Sequence, residues 1–286
     1  MPVSATNYAR AVVQFNRVTP VRYFAVDIAI FCLPLVLGSG GRPLGPLAVA
    51  GLASWLFVRG AALTIDDYFD AESDAIEKPH RPIPSGRVTK RQALVVSLTM
   101  LAVGLLLAVV VGPMFLLAVG VLLAVLASDP LVFNKLGLPG ISTLVTVTSV
   151  STASVMGWLV YGGLGVELLV MFAATWVWDL SHDTVGAFLD RDGDREADIQ
   201  SLGRNLSRRT VGLVVGGCTV AFAILLGTVT EGVGTVVPVA LAGVVFAVTA
   251  GFAFGRVRAE TVRRVVEWNV VGSYAALTGL LLANWG

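Results

Sequence analysis

Charge is scarce in this sequence. Only 14% of its residues are Asp, Glu, Lys or Arg, against about a quarter in soluble domains. A globule of this length would need far more charge to cover its surface, which excludes an ordinary soluble enzyme and a disordered chain. Cysteine is scarcer still: Cys32 and Cys218 both lie in apolar runs. They have no metal-binding spacing and support no disulfide framework, so a secreted disulfide scaffold is excluded as well. Histidine occurs only at His80 and His182. Neither has a second histidine at ligand spacing, so each is expected to make an ordinary polar contact. Apolar side chains dominate, with 56% hydrophobic residues and a mean hydropathy of +0.81. The class left is an integral membrane protein.

A helix needs about 20 mostly apolar residues to cross a bilayer. Read that way, the chain is all-α and polytopic, with nine transmembrane helices near 21–39, 43–65, 92–112, 114–133, 141–162, 165–188, 210–229, 233–254 and 266–285. The runs are continuous rather than alternating, which favours helices over a barrel. Only Gly112 and Pro113 separate the third and fourth spans, so a merged or re-entrant pair is an alternative there. The first 20 residues hold Arg10 and Arg17 and no apolar core. They do not resemble a cleaved signal peptide, and a short interfacial helix suits them better. No separate soluble domain is apparent, and residues 1–286 read as a single transmembrane domain.

Lysine and arginine set the orientation. Eighteen of the 20 fall at the N-terminus or after spans two, four, six and eight. The opposite loops carry Arg42 alone, and Arg59 lies inside span two. One missed helix would scramble this split, so it supports both the count and a cytoplasmic N-terminus.

Thirteen of the 19 acids fall in two stretches on that same side. The first holds Asp66, Asp67, Asp70, Glu72, Asp74 and Glu77. Asp66, Asp70 and Asp74 are spaced i, i+4, i+8, one stripe on a helix. The second holds Asp179, Asp183, Asp190, Asp192, Asp194, Glu196 and Asp198. Asp183, Asp190 and Asp194 share a face if the helix continues past Gly193. Like charges so placed repel and lose solvation near a bilayer, so positive partners are required. Magnesium suits such oxygen donors, being held by one or two carboxylates plus substrate phosphates. The two stripes are expected to face each other and hold one or two ions that clamp a diphosphate. Lys78, Arg81, Arg87 and Arg59 lie close by and would complement phosphate oxygens. A divalent-cation transporter competes with this reading, but its carboxylates belong near mid-bilayer. Only Asp27, inside the first span, sits there, and a polar contact within the bundle suits it better.

These residues resemble the UbiA superfamily of intramembrane prenyltransferases, over nearly the whole chain. The family's first motif is Asn-x-x-x-Asp-x-x-x-Asp followed by a basic, proline-rich loop; this chain reads DDYFDAESDAIEKPHRPIPSGRV from Asp66 to Val88. The second is Asp-x-x-x-Asp, often ending in Gly-Asp; this chain reads HDTVGAFLDRDGDREADIQSLG from His182 to Gly203. The resemblance implies a UbiA-like bundle with aspartate motifs at 66–74 and 183–194. It implies two magnesium ions, one on Asp70 and Asp74 with Asp66 adjoining, the other on Asp190 and Asp194. Arg59, Lys78 and Arg81 would bind the diphosphate, and Asp183 matches an acid often seen before the second motif. Two departures stand out. Asp66 replaces the usual asparagine, and the loop after span four has Asp129, Phe133 and Asn134 where a tyrosine and a basic pair are usual. Lys135, one residue later, is the substitute phosphate ligand there.

The implied reaction transfers a polyprenyl group from an allylic prenyl diphosphate to a lipophilic acceptor. Magnesium and fixed cations neutralise the leaving group, and apolar helices exclude the water that would quench the carbocation. Trp55, Phe57, Tyr68, Trp158, Tyr161, Trp176, Trp178 and Tyr274 are candidate cation stabilisers, though core packing or an interfacial belt accounts better for most. The hydroxyl cluster of Thr146, Thr148, Ser149, Ser151, Thr152 and Ser154 suits helix packing better than an acceptor pocket. The second motif looks more like the hydroxybenzoate type than the glycerophosphate-lipid branch, so an aromatic, quinone-precursor-like acceptor is expected. Branches acting on carotenoids, chlorophyll, haem or lipids, and terpene cyclases of this fold, are the alternatives. The expected partners are the two substrates and the bilayer, with no nucleic acid. The expected location is the cell membrane, with the active site facing the cytoplasm.

Overall fold

The computed structural model describes residues 21–77, 79–128, 141–196, 203–230 and 233–283. Those residues are all helical or loop, with no strand among them. The helices are α1 (Val21–Ser39), α2 (Pro46–Phe69), α3 (Ala71–Glu77), α4 (Lys90–Val111), α5 (Pro113–Ser128), α6 (Ile141–Leu159), α7 (Val166–Glu196), α8 (Arg208–Val229), α9 (Val233–Ala253) and α10 (Ala259–Ala283). A short 3-10 turn, Gly203–Asn205, follows α7. Among the described residues, five helices are long and apolar enough to cross a membrane: α2, α4, α8, α9 from Thr235, and α10. The protein is an integral membrane protein.

Helix ends follow local chemistry. Pro46 opens α2, where its missing N–H costs nothing. Thr89 and Gln92 form a reciprocal capping box at the start of α4. The ambiguous third and fourth spans are two separate helices. Gly112 divides them at φ +141°, a backbone conformation that side-chain-bearing residues rarely adopt, and Pro113 starts α5. The last helix begins at Ala259, seven residues before the expected span. Its first turns are charged, but Arg263 and Glu267 pair at i,i+4, so the helix extends beyond its apolar stretch.

The described residues form two compact units, one within 1–25 and 45–119, the other within 26–44 and 120–286. In the first, α2 and α4 pack antiparallel. Ser54 Oγ donates to the Gly104 carbonyl at 2.8 Å, and Ser97 Oγ to the Ala61 carbonyl at 2.8 Å. Small residues let the backbones meet: a Cβ on Gly104 would lie 2.7 Å from Val58 Cγ2 and 3.3 Å from the Ser54 carbonyl. In the second unit α7 packs against α6, α8 and α10, and α9 packs against α8 and α10. Gly157 of α6 meets the Phe31 carbonyl of α1 in the same way. Tyr274, fully buried, bonds Thr175 at 3.0 Å and stacks on Phe222, 5.8 Å between ring centroids.

The hydroxyl cluster of α6 serves its own helix. Ser149, Ser151, Thr152 and Ser154 donate to carbonyls three or four residues back, while Thr148 accepts from Trp176 Nε1 at 3.3 Å. Asp27 is buried in α1.

Gly104→Ala is expected to lower the stability of the first unit by about 1–3 kcal/mol. Gly120→Ala, where an added Cβ meets nothing within 4 Å, is expected to be neutral or stabilising. Thermal unfolding in detergent distinguishes the two.

Candidate active site

The first aspartate stripe crosses a helix junction. Asp66 and Asp67 lie in the last turn of α2, Asp70 is its C-cap, and Asp74 lies in α3. Asp70 keeps right-handed helical angles (φ −79°, ψ −2°). The Asp70 amide donates to the Asp66 carbonyl at 2.9 Å and the Asp74 amide to the Asp70 carbonyl at 2.8 Å. The i, i+4, i+8 register therefore survives the junction, as the spacing predicts. Asp66 and Asp70 are exposed, whereas Asp74 is only 3% exposed.

Arg81 explains how an aspartate can be buried here. Its Nη1 donates to Asp74 Oδ2 at 2.6 Å and to Asp67 Oδ1 at 3.2 Å. One guanidinium thus ties the proline-rich loop to the ends of both α2 and α3. Asp67 is the residue that sequence spacing missed; it lies off the i, i+4 stripe and shows its role only through Arg81. The loop is closed on itself by the Ser85 amide to the Arg81 carbonyl and the Val88 amide to the Pro82 carbonyl, both 3.0 Å. Arg87 donates to Ser85 Oγ at 2.9 Å and to the His80 carbonyl. Ile83 and Val88 pack with Ala93, Val96 and Met100 of α4. Lys90 pairs with Glu72 at 3.1 Å and lies 5.7 Å from the centre of the Tyr68 ring. Arg59 is half-buried on α2, seven residues before Asp66. Lys78 lies outside the described residues, as do Lys135 and the loop around it.

In the second unit the acids lie on α7. The helix runs through Gly193 to Glu196, so Asp183, Asp190 and Asp194 share one face, as the i, i+7, i+11 spacing requires. Thirty-one residues make a helix of about 46 Å, longer than the ~30 Å hydrocarbon core. The turns bearing Asp190 and Asp192 are thus free to project beyond it, and both residues are exposed. Arg191 pairs with Asp192 at 2.9 Å and covers Phe188, 4.4 Å from the ring centre. The side chain of Asp194 is outside the described set.

A buried polar group lies deeper on the same helix. His182 Nε2 lies 3.1 Å from Glu267 Oε1, and its Nδ1 lies 3.7 Å from Asp179 Oδ1. Arg263 pairs with Glu267 at 3.4 Å. Asp179 and Glu267 are 4% and 3% exposed. Trp178 stacks on His182, 5.7 Å between centroids, and its Nε1 donates to the Val266 carbonyl at 2.9 Å. Asp183 adjoins this group, next to His182 on α7 and half-buried. His182 makes the polar contact expected of it. Glu267 and Arg263 were not legible as site residues, because they lie on the last helix far from either motif.

Among the described residues no three His, Cys, Asp or Glu side chains converge to hold a metal ion. In the first unit Asp66 and Asp70 are exposed, and in the second Asp190 is. Exposed carboxylates of this kind suit magnesium completed by substrate phosphates and water rather than an all-protein cage.

A many-helix membrane fold with one aspartate motif at the end of α2 and another at the end of α7 defines an intramembrane, acid-motif protein. The UbiA prenyltransferase family profile matches residues 28–271; the chain belongs to that family. It is 30% identical over 188 residues to digeranylgeranylglyceryl phosphate synthase of Korarchaeum cryptofilum, covering 65% of this chain and 63% of that protein, less than two thirds of its length. It is 30% identical over 221 residues to 4-hydroxybenzoate octaprenyltransferase of Cronobacter sakazakii, covering 73% of this chain and 72% of that one. The fold is similar to a UbiA homologue from Aeropyrum pernix K1 (TM-score 0.70, 20% identity, 88% of this chain and 98% of that one). It is similar too to a UbiA homologue from Archaeoglobus fulgidus bound to GPP and Mg2+ (TM-score 0.62, 16% identity, 90% and 99%).

Arg81→Met strands the buried Asp74 carboxylate and is expected to cost about 2–3 kcal/mol. Adding Asp74→Asn should recover much of that loss. A double-mutant cycle read by thermal unfolding measures the coupling.

Proposed function

We propose that this chain transfers a polyprenyl group from an allylic prenyl diphosphate to a lipophilic acceptor and releases diphosphate. The observation that carries the reading is the first motif. Asp66 and Asp70 stay exposed and in register on a backbone pinned by the Arg81 loop, in a chain of the UbiA prenyltransferase family. Residues 1–286 act as one functional domain, with nine membrane crossings, a cytoplasmic N-terminus and the reaction on the cytoplasmic side of the cell membrane.

Asp66, Asp70 and Asp74 would hold one magnesium ion, and Asp190 and Asp194 a second. When bound, magnesium neutralises charge that develops on the leaving diphosphate. Arg59, Lys78, Arg81 and Lys135 bind the diphosphate oxygens and orient the scissile C–O bond. For Arg81 this means shifting hydrogen bonds from Asp67 and Asp74 toward phosphate. The apolar helices exclude water from the allylic cation. Asp183, Asp66 and the departing diphosphate are the candidates for taking the acceptor's proton.

An aromatic acceptor is the first reading, from the hydroxybenzoate-like second motif. A glyceryl-phosphate lipid is the second, favoured by the similarity to the Korarchaeum enzyme. Labelled geranylgeranyl diphosphate offered with both acceptor types, followed by mass spectrometry, separates them. Product formed without any acceptor would indicate a cyclase instead.

Asp70→Ala and Asp190→Ala are each expected to lower turnover about a hundredfold or more with unfolding temperature unchanged. Chelation of magnesium should stop diphosphate release and its return should restore it. Near-normal activity in either variant would overturn the two-metal reading, and ion accumulation in proteoliposomes without prenyl chemistry would favour transport.

A further inference from the structure

The second unit carries a groove along the α8–α9 pair, beginning at Arg209, a few residues beyond the second aspartate motif. It has a volume of about 700 Å³ and is lined mainly by apolar atoms. Arg209 stands at one end, Gly216 and Gly217 form part of the floor, and Phe246 and Phe254 form part of the opposite wall. From Arg209 to Val220, the lining residues of α8 extend about 16 Å, close to one leaflet of the hydrocarbon core.

Two independent features indicate an occupant with polar groups at the Arg209 end. The first is Thr249, which lines the groove yet is only 3% exposed, with no hydrogen-bond partner for its Oγ1. Thr219 on α8 satisfies its hydroxyl on the carbonyl four residues back, at 2.7 Å. Thr249 does not, so its donor requires an acceptor from elsewhere. The second feature is charge. Arg209 is exposed and has no partner among the described residues. Beside it the chain leaves α9 through a tight cap: Gly255 at φ +75° lets the Arg256 amide reach the Gly251 carbonyl at 2.8 Å. That turn fixes the Arg256–Arg258 segment, and Arg208 anchors it through the Val257 carbonyl at 3.3 Å. Four arginines (208, 209, 256 and 258) therefore gather at the ends of α8 and α9, offset only by Glu260 in this stretch.

We propose that this groove binds one anionic phospholipid from the leaflet at the Arg209 end. Arg209 takes the phosphate, Thr249 donates to an ester carbonyl, and one acyl chain lies along the glycine floor. A neutral lipid leaves the arginine cluster uncompensated. A helix from a second copy would fill the groove, and its carbonyls can accept a hydroxyl as the Gly104 carbonyl does from Ser54, but it brings no phosphate to Arg209.

Native mass spectrometry of the full chain, released from nanodiscs containing equal phosphatidylglycerol and phosphatidylcholine, tests this. One phosphatidylglycerol should be retained preferentially. Arg209→Ala should reduce that retention about fivefold, and Thr249→Val should reduce it less. Gly217→Trp should abolish it by filling the groove; a Cβ there meets nothing within 4 Å, so the fold tolerates the change. Unfolding temperature confirms folding of each variant. Equal retention of both lipids, or retention undiminished in Gly217→Trp, overturns the proposal. So does a dimer that Gly217→Trp splits, which would assign the groove to a second copy.

Discussion

Carboxylates gathered at the edge of a low-dielectric slab repel one another and lose hydration, and each must be either compensated or left in water. Both aspartate motifs show the two solutions side by side. Arg81 compensates Asp74 and Asp67, which lets the proline-rich loop close against α2 and α3, while Asp66 and Asp70 are exposed. In the second unit Arg263 pairs with Glu267, His182 lies against Glu267 and Asp179 in the interior, and Asp190 is exposed. The division suits a site that must keep oxygen donors open without destabilising the helices that carry them. Arg81 clamps the loop; in the proposed reaction the same guanidinium would also contact phosphate, and the two roles would compete.

Helix pairing obeys a separate constraint. Within lipid there is little hydrophobic gain from bringing two apolar helices together, so close contact depends on shape and on hydrogen bonds that cross the interface. Gly104 beside Val58, with Ser54 and Ser97 each donating across to the opposite helix, is that arrangement in the first unit. Gly203 plays the same part in the second, where its Cα lies against the backbone of Ala187. The turn after the second motif is thereby seated on α7.

Much of this was legible beforehand, and the reasons differ by element. Hydropathy located the helices because apolar runs of this length have few other uses, and the three-aspartate register survived because Asp70 kept helical angles across a junction the spacing could not reveal. Hydropathy failed where charge enters a helix in pairs. Arg263 and Glu267 neutralise each other on α10, so the seven residues from Ala259 to Val265 belong to that helix although no apolar run announces them. Asp67 and Glu267 escaped for a different reason. Their importance lies in tertiary partners, Arg81 and His182, which no periodicity encodes. Gly193 was ambiguous because a glycine inside a helix costs only about 1 kcal/mol, too little to end one that is supported on both sides.

That last point has a mechanical consequence. Because α7 is unbroken from Val166 to Glu196, the acids at its far end have no hinge of their own. Their angular position is set by how Thr175 and Trp178 are seated in the interior, through bonds to Tyr274 and the Val266 carbonyl. A single residue inserted between Asp179 and Asp190 would turn the distal carboxylates by about 100° about the axis while leaving the Thr175 and Trp178 contacts in place. The helix is a shaft, and the phase of the second motif is machined into it.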